Sequence, residues 1–205
     1  DMAIGLGLIF GFKLPENFNY PYTSRSLTEF WRRWHMTLLN WFRIYVFFPL
    51  ERNRKGAGTP FQVLNILIVF LLTGLWHGVT LNYIVWGLLQ GTILAIERTR
   101  FGSWLNTKTH RAFQHTYTLL LILVGWVVFR SGDLGYAVYF FKAMIGFAPW
   151  GTEVPFSIMP AIPHQFWLAL GWGILFSAPI LPRLQEFFQK ATDTPVKQAV
   201  VKITR

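Results

Sequence analysis

The chain contains no cysteine in its 205 residues. With no thiol there is no disulfide, no thiolate metal site and no cysteine-linked acyl-enzyme. Charge is nearly as scarce. Only 14% of residues are charged, against roughly 25% in a soluble domain. Metal-ligand patterns are missing too, since His110, His115 and His164 have no ligand spacing with one another or with a carboxylate. We therefore expect no metal and no permanently bound cofactor. There is no low-complexity segment, no repeat, and no basic n-region of a signal peptide at the start. What fills the chain is apolar: 53% hydrophobic and 18% aromatic residues, with positive mean hydropathy. This composition predicts an all-α, polytopic transmembrane protein.

The chain is organised around residues 61–98, FQVLNILIVFLLTGLWHGVTLNYIVWGLLQGTILAIER. A crossing needs about 20 mostly apolar residues, so Phe61–Trp76 and Leu81–Ile96 each come close, with a turn near His77, Gly78 and Asn82. His77 is ionisable and buried in apolar sequence, which makes it a functional candidate; the alternative is a histidine that only bonds neighbouring helices. Gly74 and Gly78, then Gly87 and Gly91, have the small-xxx-small spacing that admits a second backbone. Gln90 lies between the second pair.

Earlier, DMAIGLGLIFGF reads as the end of an apolar helix, and residues 13–25 as a Pro- and Asn-rich loop. Ser26-Leu27-Thr28-Glu29 has capping-box spacing and starts a helix that we expect to run from Leu27 to about Phe48. On a continuous helix Glu29, Arg32, Arg33, Met36, Asn40 and Arg43 share one face and Trp31, Leu38, Leu39 and Phe42 another. His35 falls with the aromatic side, as a packing residue or a functional one. Such a basic, aromatic helix suits the membrane interface. Pro49 ends or bends it, and 51–60 is a basic turn. Residues 98–112 read as a basic loop and 113–130 as a crossing. Residues 134–147 form a short helix, 148–163 a Pro- and Gly-rich loop, 164–182 a crossing with Pro179 near its end, and 183–205 a basic tail.

Lys and Arg collect in cytoplasmic segments. Residues 13–60, 98–112 and 183–205 hold 17 of the 19 in the chain, leaving Arg130 and Lys142 on the other side. This predicts a multi-pass membrane protein with those three segments cytoplasmic. The formal charge of +10 then faces anionic lipid, and no nucleic-acid partner is needed. His77 lies 16 residues beyond Phe61, roughly 24 Å along a helix, towards the outer side. His35 lies on the cytoplasmic half. Histidines approached from opposite sides suit a reaction across a membrane.

SLTEFWRRWHMTLLNWFR (26–43), GLWHG (74–78) and VGWVVFRSGDLGYAVYFFKAMIGF (124–147), together with PENF and Tyr-Pro-Tyr before them, resemble the membrane-bound O-acyltransferase superfamily. The likeness is to its bacterial alginate O-acetyltransferase-like branch, and it covers almost the whole chain. It implies that His77, in the WHG motif, is catalytic and that His35, in the RRWH motif, is the second catalytic position. The branch that transfers D-alanine to teichoic acids shares both histidines. It more often has Asn-Arg-Trp-His where this chain has Arg32-Arg33-Trp34-His35, and it lacks the run Pro49-Leu50-Glu51-Arg52-Asn53-Arg54. Three departures from the family pattern stand out: Ile44 follows Arg43 where Asp is common, Glu51-Arg52 replace Gly-Gly, and Gln90 stands where His is frequent. The family is about twice this length. The resemblance therefore implies that residues 1–205 form a single membrane-embedded catalytic region, the C-terminal half, lacking earlier helices and a final one.

The implied chemistry moves an acetyl group from a cytoplasmic thioester, acetyl-CoA or a carrier protein, to a hydroxyl of a secreted polysaccharide or an acceptor protein. A neutral imidazole is the usual base for such a step, here His77, with Thr73 or Gln90 as candidates to hold its tautomer. His35 is a candidate to orient the thioester. Trp76 and Gln90 are candidate substrate contacts. Arg32, Arg33 and Arg43 either meet donor phosphates or anchor the helix to lipid. Teichoic acid D-alanylation and a non-enzymatic export subunit are the alternatives. A transporter is disfavoured, because no charged pair or ion-ligand cluster lies inside the crossings.

Overall fold

The computed structural model describes residues 2–53, 59–147 and 163–190, and among these every regular element is helical. The tip of the basic turn (54–58), the loop at 148–162 and the tail beyond 190 lie outside the described residues. The chain divides into two compact units, Asp1–Thr152 and Glu153–Arg205.

Helix α1 (Met2–Ile9) completes the apolar start. After the loop and a 3-10 turn (Pro21–Thr23), α2 (Leu27–Arg33) begins where the capping pattern places it. Ser26 Oγ accepts from the Glu29 amide at 3.1 Å, and the Glu29 carboxylate accepts from the Arg25 amide at 2.9 Å. The helix then departs from the single run expected to Phe48. It stops at Arg33, and α3 (Met36–Phe42) starts after His35, whose φ of 46° and ψ of 50° are left-handed. In a continuous helix the Met36 and Thr37 amides would bond to the carbonyls of Arg32 and Arg33. Here Met36 N–H donates to the Asn17 carbonyl (2.9 Å), Thr37 N–H donates to Asn17 Oδ1 (3.1 Å), and the Arg33 carbonyl accepts from Asn19 N–H (2.9 Å). The preceding loop thus replaces the helix's own bonds at the break, so the face assignment made for one continuous helix does not carry across it.

A π-helical turn (Arg43–Phe47) follows, closed by the Phe48 amide on the Arg43 carbonyl. Then comes α4 (Phe48–Asn53). Pro49 has no N–H to give the Tyr45 carbonyl, yet the helix continues through it to Asn53.

Helices α5 (Thr59–His77) and α6 (Leu81–Glu97) form the expected hairpin. A Cβ on Gly74 would collide with the Tyr83 carbonyl oxygen, and one on Gly87 with that of Phe70. One on Gly91 would lie 3.1 Å from Phe70 Cβ. Glycine therefore lets these two backbones touch. Gly78 serves the turn instead. With φ 156° it leads the chain out of α5 directly after His77.

Residues 100–108, read as loop, form helix α7 (Arg100–Lys108). Thr99 caps its start at the Phe101 amide (3.2 Å), and Gln114 Nε2 donates to its Leu105 carbonyl (2.8 Å). Helix α8 (Arg111–Arg130) and α9 (Leu134–Met144) follow, with Asp133 capping α9. The core gathers where α2 and α3 meet α5, α6 and α8, around Phe30, Trp31, Phe70, Trp86 and Ile122. Asn82 Nδ2 joins α6 to the end of α8 through the Ser131 carbonyl (2.8 Å).

In the second unit, the crossing expected over 164–182 is broken. Helix α10 (His164–Phe176) and α11 (Ile180–Lys190) meet at a 57° bend. Pro179 sits at the break and cannot donate into the ladder. Helices α5 and α8 are long and apolar enough to cross a membrane, and the bent pair qualifies only if counted as one span. Helix α6, with 17 residues, is at the short limit of a spanning helix.

Candidate active site

Both motif histidines sit at helix breaks, and Trp76 brings them together. His77 is the last residue of α5 and His35 the residue before α3. The Trp76 ring lies 4.8 Å from the His77 ring and 6.1 Å from the His35 ring, edge-on to both. His77 is walled by Phe129 at 4.9 Å, Trp86 at 5.4 Å and Tyr83 at 6.0 Å. Among the described residues neither of its ring nitrogens has a hydrogen-bond partner. Thr73 donates to the Val69 carbonyl (2.8 Å), and Gln90 Oε1 accepts from Trp31 Nε1 (3.2 Å). Neither of the expected tautomer holders is bonded to His77.

His35 is oriented, and by a residue the sequence did not single out. Asn17 Oδ1 lies 3.3 Å from His35 Nδ1 and accepts from the Thr37 amide and hydroxyl (3.1 and 2.7 Å). A backbone N–H can only donate, so the Thr37 amide fixes the oxygen of Asn17 towards this cluster. His35 Nδ1 must then carry a proton to bond it, which leaves Nε2 as the free acceptor in the neutral ring. An Asn in a Pro-rich loop before a helix often bonds local backbone in this way. That was the available signal.

A cavity of about 860 Å³ begins at Met36 and Thr37, the two residues after His35; His35, Trp76 and His77 do not line it, and its size is typical of small-molecule sites. Trp31, Ile66, Val69, Phe70 and Leu94 give it an apolar wall, and Arg32, Arg43 and Arg98 give it three guanidinium groups. Met36 and Thr37, which follow His35, also line it. Arg43 lies over the Phe48 ring (5.1 Å) and Arg98 over that of Phe47 (5.6 Å). Arg33 is placed differently. It pairs with Glu29 at 2.8 Å and donates to the Asn19 carbonyl at 3.3 Å, so it braces the loop and does not line the cavity. Arg32, Arg43 and Arg98, by contrast, have no carboxylate partner among the described residues. Arg98 was missed because its charge was already accounted for by topology. Only the tertiary contact of Arg98 with Phe47 of the π-helical turn reveals its place at the cavity.

Residues 1–129 match the family model for the membrane-bound O-acyltransferase family. The chain belongs to that family. The family is one of membrane proteins, in agreement with the apolar helices. The chain is 48% identical over 152 residues to the probable alginate O-acetylase of Azotobacter vinelandii, covering 73% of the chain and 30% of that protein. It is 39% identical over 150 residues to the peptidoglycan O-acetyltransferase of Helicobacter pylori, covering 71% and 28%. It is 34% identical over 142 residues to the teichoic acid D-alanyltransferase of Bacillus subtilis, covering 67% and 35%. The chain therefore spans about a third or less of the length of these relatives.

Proposed function

We propose that this chain forms the catalytic region of a multi-pass inner-membrane O-acyltransferase that acetylates a secreted polysaccharide. The acetyl group comes from a cytoplasmic thioester, and the acceptor is a hydroxyl reached from the other side, on the polymer or on an acceptor protein. The observation that carries this reading is the pairing of two motif histidines, 42 residues apart in sequence, against one tryptophan, with a cavity holding three arginines that begins at Met36, the residue after His35. The order of similarity, alginate O-acetylase above teichoic acid D-alanyltransferase, favours acetyl over D-alanyl transfer.

In this mechanism His77 is the general base. Among the described residues its nitrogens have no partner, so one can accept the proton of the substrate hydroxyl. As that proton leaves, the hydroxyl oxygen bonds to the thioester carbonyl carbon and a tetrahedral oxyanion forms. Collapse breaks the C–S bond, and the imidazolium returns its proton to the departing thiolate. General-base assistance of this kind is worth about 10²–10⁴-fold. His35, with Nδ1 protonated and Nε2 free, orients the donor arm beside Met36. Arg32, Arg43 and Arg98 meet the donor's phosphates, and the apolar wall receives its uncharged stem. Trp76 excludes water between the two histidines.

The test uses inverted inner-membrane vesicles, whose cytoplasmic face is outward, supplied with a radiolabelled acetyl thioester. Label should appear as base-labile ester on lumenal glycan. Label that stays on the thioester, or appears only in protein facing the medium, would reject vectorial acetyl transfer.

A further inference from the structure

Helix α2 has seven residues, too few to persist without tertiary support, yet it delivers Trp31 and Arg32 to the cavity. Its support comes from the last residue of α6. Glu97 Oε1 accepts from the Leu27 amide (2.8 Å), and Oε2 accepts from the Thr28 amide (2.8 Å) and hydroxyl (2.6 Å). Together with Ser26 at the Glu29 amide, this satisfies the first three N–H groups of α2, two of them through one carboxylate about seventy positions away. A carboxylate here also faces the positive end of the helix, and such charge-assisted bonds are the strong ones.

Glu97 is itself held in place. Its carbonyl oxygen occupies the position a Cβ on Gly102 would take, so α7 locks the end of α6. The Tyr117 hydroxyl of α8 faces the same carboxylate. Two turns earlier on α6, Gln90 holds Trp31. Thr28, bonded to Glu97, lines the cavity, as do Arg32 from α2 and Arg98, the neighbour of Glu97.

We propose that Glu97 is the positioning residue for the donor cavity: its carboxylate holds the first turn of α2 and so sets the separation of Arg32 and Thr28 from Arg98. Glu97 touches no reacting atom. The proposal rests on the reading of the cavity as the thioester-donor site. Removing the hold lets α2 shift, which weakens donor binding more than it slows the chemical step.

The experiment measures donor KM and kcat for Glu97→Gln, Glu97→Asp and Thr28→Val in native membranes at matched protein level. It also measures the distance distribution between spin labels at Arg25 and Asn106, introduced as cysteines into a chain that has none. Gln keeps one acceptor oxygen, and Asp is too short for both bonds. The expected result is a five- to twentyfold rise in KM, a change in kcat of less than threefold, and a broadened distance distribution, with a modestly lowered melting temperature as the charge-assisted bonds are lost. Adding Thr28→Val to Glu97→Gln should not raise KM further, because both act through one contact. A melting temperature that falls while KM and the distances of the remaining folded protein stay unchanged would reduce Glu97 to a stability residue and overturn the proposal. Broadened distances with unchanged KM, together with silent Arg32→Ala and Arg98→Ala, would locate the failure in the donor-site reading. Broadened distances with unchanged KM while those arginine variants do raise KM would overturn the role of Glu97 alone.

Discussion

Gly87→Ala tests the packing that places His77. At Gly87 an added Cβ would meet the Phe70 carbonyl oxygen, and at Gly74 the Tyr83 carbonyl oxygen. Both obstacles are backbone atoms, so no rotamer change relieves them and the two helices must separate. Alanine recovers about 0.8–1 kcal/mol of helix propensity over glycine. Overpacking against fixed atoms costs about 1–3 kcal/mol, and backbone contact puts these sites towards the upper end. The expected net loss is about 1–2 kcal/mol. Function should suffer more, because Trp86 precedes Gly87 and its ring is 5.4 Å from His77, while Gly74 lies three residues before His77 on α5. Misplacement by about 1 Å at a reacting centre can cost about 10²-fold in rate. Gly171→Ala is the control, since nothing among the described residues lies within 4 Å of its added Cβ, and it should be neutral or slightly stabilising. Detergent-purified proteins would be melted with tryptophan fluorescence as the signal and assayed for acetyl transfer. If Gly87→Ala matched Gly171→Ala in both measurements, the close hairpin and the positioning built on it would be refuted.

Three further outcomes are expected. Asn17→Ala should free the His35 tautomer and loosen the chain break, lowering the transfer rate about tenfold; ¹⁵N shifts of His35 should move from an Nδ1-protonated pattern to a tautomer mixture, and an unchanged spectrum would contradict the assignment. His35→Gln should reduce acetylation less than loss of His77 does, read as polymer acetyl content at matched membrane levels; full activity would make His35 a packing residue. For topology, a cysteine at Asn106 should resist an impermeant thiol reagent in intact cells and react in inverted vesicles, because residues 98–112 belong to the basic side; labelling in intact cells would reverse the orientation.

The parts of this fold legible in sequence are those fixed by local pattern. Helix α2 starts at Leu27 because Ser26 and Glu29 have capping spacing, and the α5–α6 hairpin follows from two apolar runs around Gly78. The glycines at 74, 87 and 91 announced a close helix pair. The break at His35 was not legible, since helix propensity continues through Trp34 and the competing bonds come from Asn17 and Asn19 in a preceding loop. Helix α7 was hidden because its stability comes from Thr99, Gln114 and the contact at Gly102, none of which alters periodicity. At the site, His35, His77 and Trp76 were marked by their motifs and do come together. Arg98 and Glu97 were not marked, because what distinguishes them is packing against residues fifty to seventy positions earlier. Arg33 and Gln90 were marked for the substrate, and the structure gives them internal partners in Glu29 and Trp31.

The central claim is that His77 is the base, and the direct measurement is polymer acetyl content with His77→Ala and His77→Gln at equal membrane abundance. Alanine is a good helix former and sits at the last residue of α5, so both proteins should remain monodisperse in detergent. Acetylation should fall at least 10²-fold in both, the scale of general-base assistance. A monodisperse His77→Ala protein that acetylates at near wild-type rate would contradict the account and place the base elsewhere.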